Sequence, residues 1–340
     1  QERKQRGAEV ADDIARSSSR AQTLTGPLLL LEYEQLRRTT RDVQTAIGTE
    51  KVIEDLRERY FEFVAPERLK IDNRLSARER RRGLFGVLLY TNVFSLEAGF
   101  SLPPARALGD SLLEHELRSA RIVLGVGDSR GIQQLELRAD DRALRAEPGS
   151  GVAWLGEGIH AVLALDQAEP GTRFTLVGEG ELIGTQSIEW TPLAEESQVT
   201  AQADWPHPGF IGQRLPVDPQ IDEAGFRAGW RLSRLSSQGV HQLTGCSIGH
   251  TQCSALNGAS FGVRLVDPVD RYLKTERAMK YALLFLVLVF GAVFFLEALR
   301  GVAVHPLQYG LTGLALAMFY LLLLSLSEHL GFGPAYAIAA

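Results

Sequence analysis

The sequence has little cysteine, no surplus of positive charge, and almost no charge of either sign over its last sixty or so residues. Each shortage excludes something. Two cysteines in 340 residues cannot build a structural zinc site by themselves, because such a site takes four ligands. With 36 Lys and Arg against 41 Asp and Glu, the formal charge is −5 and the signs are scattered, which argues against a nucleic-acid partner. The one tight basic run, Arg78 to Arg82, reads as a solvated loop. Signatures of catalysis are also scarce. The zincin pattern H-E-x-x-H and the phosphate loop G-x-x-x-x-G-K-[ST] are absent, and GEGEL (178–182) lacks the G-x-G-x-x-G spacing. No G-x-S-x-G nucleophile elbow is expected, and GVGDSRG (125–131) reads as a strand running into a Gly-Asp turn. No catalytic residue, cofactor or metal is expected.

What is present divides the chain in two. From Pro27 to about residue 270 the pattern is mainly β: short apolar or alternating runs such as PLLLLEYEQ, ARIVLGVG, QLELRA, IHAVLAL, RFTLVGEGEL and SQVTAQADW, separated by PGSG, AEPGT and TPLAEE. Many short strands with Gly and Pro punctuation predict a sandwich- or barrel-like domain. Two stretches are ambiguous. Residues 36–59 read as a helix or as a charged excursion from the sheet, and 102–120 look helical, which makes Glu114-His115-Glu116 a polar helix surface. Residues 1–26 predict a polar stalk helix stopped by Thr25-Gly26-Pro27. The start at Gln1 and the apolar residues 331–340 suggest a fragment of a longer chain, with a membrane helix ahead and another beginning at the end.

Beyond residue 270 the chemistry changes. Residues 278–299 and 306–327 predict two transmembrane helices. The run from Leu307 to Leu326 is uncharged and long enough for a bilayer core of about 30 Å. Both runs are apolar on every side, which sets them apart from buried helices of a soluble protein. As a hairpin they place Glu297, Arg300 and His305 at one surface, and Lys280, Arg277, Glu328 and His329 at the other. Glu297 and Arg300 are spaced to pair locally, and Glu328 to reach Lys280 or Arg277. Glu328-His329 then sits at an interfacial helix end rather than in a mid-membrane proton relay. Gly313 and Ala317 form a small-xxx-small spacing suited to close helix approach.

In the soluble part, Cys246 and Cys253 flank CSIGHTQC. They suit a disulfide in an oxidising compartment, with free thiols or a three-ligand metal site through His250 as alternatives. DWPHPGFIG presents Asp204, Trp205 and His207 beside two prolines. It reads as a stiff loop whose Trp205 and Phe210 cap the core, or as a rigid loop offered to a partner or ligand. Asp128 and Arg130 in GDSRG suit turn geometry, with a small-molecule site as the other reading.

The run DRYLKTERAMKYALLFL…HPLQYGLTGLALAMFYLLLLSLSEHLGF, with GDSRGI, EPGSG, GIH, DWPHPGFIG and GFRAGW upstream, resembles the CreD family of bacterial inner-membrane proteins. The resemblance implies an N-terminal membrane helix, a large extracytoplasmic domain and several C-terminal membrane helices. It also implies a part in envelope integrity, within the regulon of a two-component sensor linked to carbon state and β-lactam response. It carries no catalytic residues with it. Orientation is contested: Arg271, Lys274, Arg277 and Lys280 before the first helix favour a cytoplasmic domain by the positive-inside rule, whereas the cysteine pair and the resemblance favour the periplasm. The expected function is non-enzymatic binding or scaffolding by a periplasmic β domain, with the lipid bilayer and other envelope proteins as partners. A transporter or lipid-handling bundle is the alternative, and a periplasmic hydrolase the third.

Overall fold

The computed structural model describes residue 13 and residues 18–340, apart from 46–47, 83–84, 237, 247, 250–251, 254–255, 257–259, 267–270, 302–304 and 331. The described chain forms two units, residues 1–266 and 267–340.

The first unit is built from strands. In chain order they are β1 (Gln22–Thr45), β2 (Gly48–Val64), β3 (Arg68–Arg82), β4 (Phe85–Ser101), β5 (Leu112–Val126), β6 (Ile132–Ala139), β7 (Arg142–Leu144) and β8 (Ala146–Pro148). There follow β9 (Gly158–Leu163), β10 (Arg173–Thr185), β11 (Ser187–Thr191), β12 (Glu196–Ala203), β13 (Pro208–Gly212), β14 (Val217–Asp222), β15 (Gly225–Leu232) and β16 (Phe261–Leu265). They make two eight-stranded sheets. One runs β13-β16-β11-β1-β5-β9-β8, with β2 also on β1; the other runs β14-β15-β12-β3-β4-β10-β6-β7. Most pairs are antiparallel, but β1 lies parallel to β11, and β3 parallel to β12.

The apolar residues of the two sheets meet in one core, so the expected sandwich forms. Leu29, Leu31 and Trp190 come from the first sheet, and Ile71, Leu96, Leu176 and Trp230 from the second. At its centre Trp190 and Trp230 lie 5.6 Å apart, ring centre to ring centre, and Phe261 stacks on Trp230 at 5.3 Å. The buried Trp190 indole and the Asn92 amide both donate to Asn73 Oδ1, and Asn73 donates to the Thr200 carbonyl, whereas Asn92 Oδ1 is buried without a partner among the described residues. A second apolar cluster covers the outer side of the first sheet. There Leu28, Leu30 and Val123 are roofed by Val152, Trp154, Leu155, Leu243 and Cys253.

Four sequence expectations are answered here, and the first is corrected: Arg78 to Arg82, read as a loop, is the end of strand β3. The predicted stalk helix falls almost wholly outside the described residues, and its last part is strand, because β1 starts at Gln22. Gly26-Pro27 does not stop a helix. It marks the point where one edge of β1 passes from β11 (22–25) to β2 (from Leu29), with a register shift against β5 where proline has no N–H to give. Residues 36–59 are not a helix but the charged excursion: β1 and β2 run on as a two-stranded ribbon past the last β5 partner, Arg37↔Leu112. Its charges face each other across the pair, as in Arg38–Asp55 at 2.9 Å and Arg57–Glu34 at 2.8 Å. Residues 102–120 are not helical either. Pro103, Pro104 and Gly109 interrupt the backbone, and β5 starts at Leu112, so Glu114-His115-Glu116 lies along a strand. His115 stacks on Tyr33 at 4.1 Å and bonds to Gln35.

The second unit contains α1 (Arg271–Arg300), α2 (Pro306–Leu330) and α3 (Phe332–Ala339). Lys280–Leu299 and Pro306–Ser327 are long and apolar enough to cross a membrane. No described side chain of α1 is buried, and on α2 only Leu323 and Ser327 are. The helices form a hairpin: Tyr309 donates to Glu297 Oε2 at 2.7 Å, stacks on Phe290, and a Cβ on Gly313 would come within 3.3 Å of that ring. On the other side of α2, Phe319 meets Tyr336 of α3 edge to face.

Candidate functional site

The outer faces of the two sheets differ. The first is roofed by the 149–157 and 238–256 segments. Among the described residues no segment roofs the second, and its strands line a concave polar cavity of about 790 Å³, within the range of small-molecule sites.

Strand alternation produces this face. On β3, Asn73 and Leu75 point into the core while Asp72 and Arg74 point out. On β10, Glu179 and Glu181 point out while Gly178 and Gly180 point in. The glycines are required by close approach. A Cβ on Gly180 would come within 2.9 Å of the Gln134 carbonyl and 2.8 Å of the Phe94 ring, and one on Gly178 within 2.9 Å of Leu96 and Leu137. GEGEL is therefore a strand pressed onto the core, with its carboxylates in the cavity.

Register then aligns outward residues across strands. Arg227, Gln202 and Arg74 stand side by side on β15, β12 and β3, followed by Val93 on β4 and Glu181 on β10. One step along lie Thr200, Asp72, Ser95, Glu179 and Glu136. Glu179 faces Glu136 directly across the β10–β6 pair, an arrangement of like charges that destabilises a sheet. Among the described residues, Glu179, Glu181 and Arg74 enter no ion pair, whereas the β1–β2 ribbon pairs its charges repeatedly. Asp72 is occupied by Lys70 at 2.8 Å and Thr200 at 2.7 Å, and Arg227 donates to Gln202. The two lining arginines stand on β15 and β3, with Asp218 on β14 and Asp72 on β3 beside them, and the charged lining toward β10 and β6 is acidic only.

The residues singled out from sequence lie elsewhere. Asp204 accepts from Ser76 Oγ and from the Ala77 N–H, and Trp205 donates to the Val266 carbonyl, so both are engaged in holding their loop. His207 is exposed, with its ring edge-on to Trp205, and Phe210 packs against Phe226 and Trp230. Asp128 is buried. It accepts from the Arg20 and Arg130 N–H groups and from the Arg130 guanidinium at 2.9 and 2.7 Å. These bonds, the Arg130 guanidinium first, hold its carboxyl down at about 2. The node also binds Gln22, whose amide reaches Ser19, Asp128 and Ile183.

GDSRG does have the G-x-S-x-G spacing of a nucleophile elbow, so geometry has to decide its role. An elbow places serine between a strand and an α-helix, beside a histidine. Here Ser129 opens a three-residue 3-10 turn that leads into β6, and its hydroxyl donates to Glu157 at 2.7 Å. No histidine bonds to Ser129 among the described residues. The turn reading fits, and the segment clasps the start of β1.

Cys246 and Cys253 are joined as a disulfide, Cα to Cα 5.2 Å, and Cys253 lies inside the cluster that roofs the first sheet. His250, the third ligand of the metal alternative, lies outside the described residues, and the described residues hold no metal-binding group. On the helices, Glu297 bonds to Tyr309, a partner the sequence reading missed. Lys280 is exposed. The side chains of Arg277, Arg300, Glu328 and His329 lie outside the description, although α1 and α2 carry their backbones.

The family profile described as "Inner membrane protein CreD" matches residues 1–340. Across 336 residues the chain is 34% identical to the Inner membrane protein CreD of Escherichia coli (strain K12), covering 98% of this chain and 71% of that protein. A match along the whole length, on a β domain followed by helices apolar enough for a bilayer, identifies the chain as a member of the CreD family of inner membrane proteins.

Proposed function

We propose that the protein is a non-enzymatic binding or scaffolding component supporting the integrity of the cell envelope. In this reading the helices hold it in the inner membrane, and the β domain faces the periplasm and works through the open face of its second sheet. One observation carries the proposal: one outer face is roofed, while the other is a polar cavity in which, among the described residues, Arg74, Glu179 and Glu181 enter no ion pair. Like charges set directly opposite each other, as Glu179 and Glu136 are, cost stability, and a ligand that pairs them accounts for their presence. A non-catalytic role is supported by the GDSRG geometry, where Ser129 opens a short 3-10 turn and donates to Glu157.

The periplasmic orientation is supported by the disulfide, which suits an oxidising compartment. The basic cluster Arg271, Lys274, Arg277 and Lys280 opposes it, but long domains translocate largely regardless of such charges. It then serves as an anchor for anionic headgroups. The test is photo-crosslinking in living cells from a probe placed at Gln202, with a second probe at Asp141 on the β6–β7 turn as control. Capture from Gln202 alone is expected. Equal capture from both, or from neither, would refute the assignment. A membrane-impermeant thiol reagent added to reduced spheroplasts should label Cys246, and protection would overturn the orientation.

A further inference from the structure

If the open face binds, as proposed above, its charges specify what it holds. The basic residues without carboxylate partners, Arg74 and Arg227, stand on β3 and β15. The acids without cation partners, Glu179 and Glu181, stand on β10, with Glu136 beside them on β6. From Arg74 on β3 to Glu181 on β10 is two strand spacings, about 10 Å, with Arg227 two spacings beyond Arg74 and Glu136 one beyond β10. A ligand that satisfies both ends must carry an anion and a cation separated by about that distance. A purely anionic ligand leaves the β10 carboxylates unpaired, and a purely cationic one leaves the guanidiniums unpaired. A neutral saccharide fits less well, because no Trp or Tyr lines the cavity to take a sugar ring and Phe94 is buried in its floor.

We propose that this cavity takes a short zwitterionic peptide, lying across the strands with its carboxylate at Arg74 and Arg227 and its free ammonium at Glu181, Glu179 and Glu136. An extended chain of about three residues spans the gap at about 3.3–3.6 Å each. Arg74 and Arg227 supply forked donors to a carboxylate. The Glu179–Glu136 pair, unfavourable when empty, becomes favourable with an ammonium between its members. Gln202, standing between the two arginines on β12, accepts from the Arg227 guanidinium and holds it on the side facing β3. The cavity is wide and carries few apolar side chains, so it reads the two termini more than the side chains between them.

The experiment is calorimetric titration of the full chain in detergent with trialanine, N-acetyl-trialanine and trialanine amide, using chitotriose as a saccharide control. Trialanine is expected to bind, and each cap to weaken it about tenfold or more, as loss of one charge-assisted contact does. Glu181→Gln should erase the penalty for the acetyl cap but not for the amide, and Arg74→Gln should do the reverse. Both residues are exposed or half-buried strand positions, and unchanged tryptophan fluorescence would confirm that the variants fold. Trialanine failing to bind at about 10 mM, caps without effect, or variants that weaken all three peptides alike would each overturn the assignment. Chitotriose binding in place of trialanine would overturn it in favour of a glycan. Capture at Gln202 in cells together with no trialanine binding leaves the binding face standing and removes the peptide. Failure of both removes the face as well.

Discussion

Replacing Asp128 with asparagine gives a calibrated test of how the β domain is held together. The carboxylate is buried and collects four donors: two backbone N–H groups, from Arg20 and Arg130, and two guanidinium contacts. The amide keeps the shape but removes the charge and turns an NH2 toward one of those donors. The carboxyl sits at about 2 rather than 3.8, so the bonds to its ionised form stabilise the fold by about 2 kcal/mol at neutral pH. Misplacing the NH2 adds to that cost. Urea unfolding of the full chain in detergent, followed by the fluorescence of buried Trp190 and Trp230, should show the Asp128→Asn midpoint lowered by between about half and one molar. The pH dependence fixes the sign. A depressed carboxyl stabilises fully above its unfolded value, so the difference between parent and variant should be constant from neutral pH down to about 5. It should shrink below 3.8 and level off near 2 at the residual cost of the misplaced NH2, because asparagine does not titrate. A variant within about 0.5 kcal/mol of the parent at pH 7, or a gap that persists unchanged to pH 2, would show that the node does not clasp β1 as described.

Other expectations are independent of that node. Gly180→Ala should cost about 1–3 kcal/mol, because its Cβ meets a backbone carbonyl as well as the Phe94 ring, and a parent-like melting temperature would contradict the close approach. His115 is held below its ordinary value by burial first and by Arg106 second, so its NMR titration should fall below 6.5. Stability on its account should then decline as the solution is acidified through that lowered value. Tyr309→Phe removes one hydrogen bond between α1 and α2 and should destabilise the hairpin by about 0.6 kcal/mol, read by SDS titration; a loss several times larger would assign Tyr309 a further role.

The two apolar helices were legible because hydropathy is a property of a continuous segment and needs no knowledge of partners. The β character was legible for a related reason, since turn residues punctuate alternating runs. The ribbon of β1 and β2 was ambiguous because its charges, dense on both faces, hide a period of two that appears only when Arg38 is set opposite Asp55 and Glu34 beside Arg57. The cavity was not legible. It is assembled from Arg227, Arg74, Glu181 and Glu136, on strands distant in sequence, and each reads alone as an ordinary exposed position. The one local signal was GEGEL, where glycine at every second place in a strand indicates close backbone approach on one face and leaves the two glutamates on the other.

The place of β16 has a consequence for how the domain comes into being. It is the last of the described strands, yet it lies between β13 and β11 inside the first sheet. Residues 208–212 therefore have no neighbour on that edge until residues 261–265 arrive, and β1 waits for β11 in the same way. Closure of so many distant pairs is slow. A nascent domain of this topology stays open along one seam until nearly all of it has left the ribosome, and α1 follows only a few residues later. Completion of the sheet and delivery of the first membrane helix are thus adjacent events in synthesis, and a chain cut short before residue 261 is left with an unsealed edge.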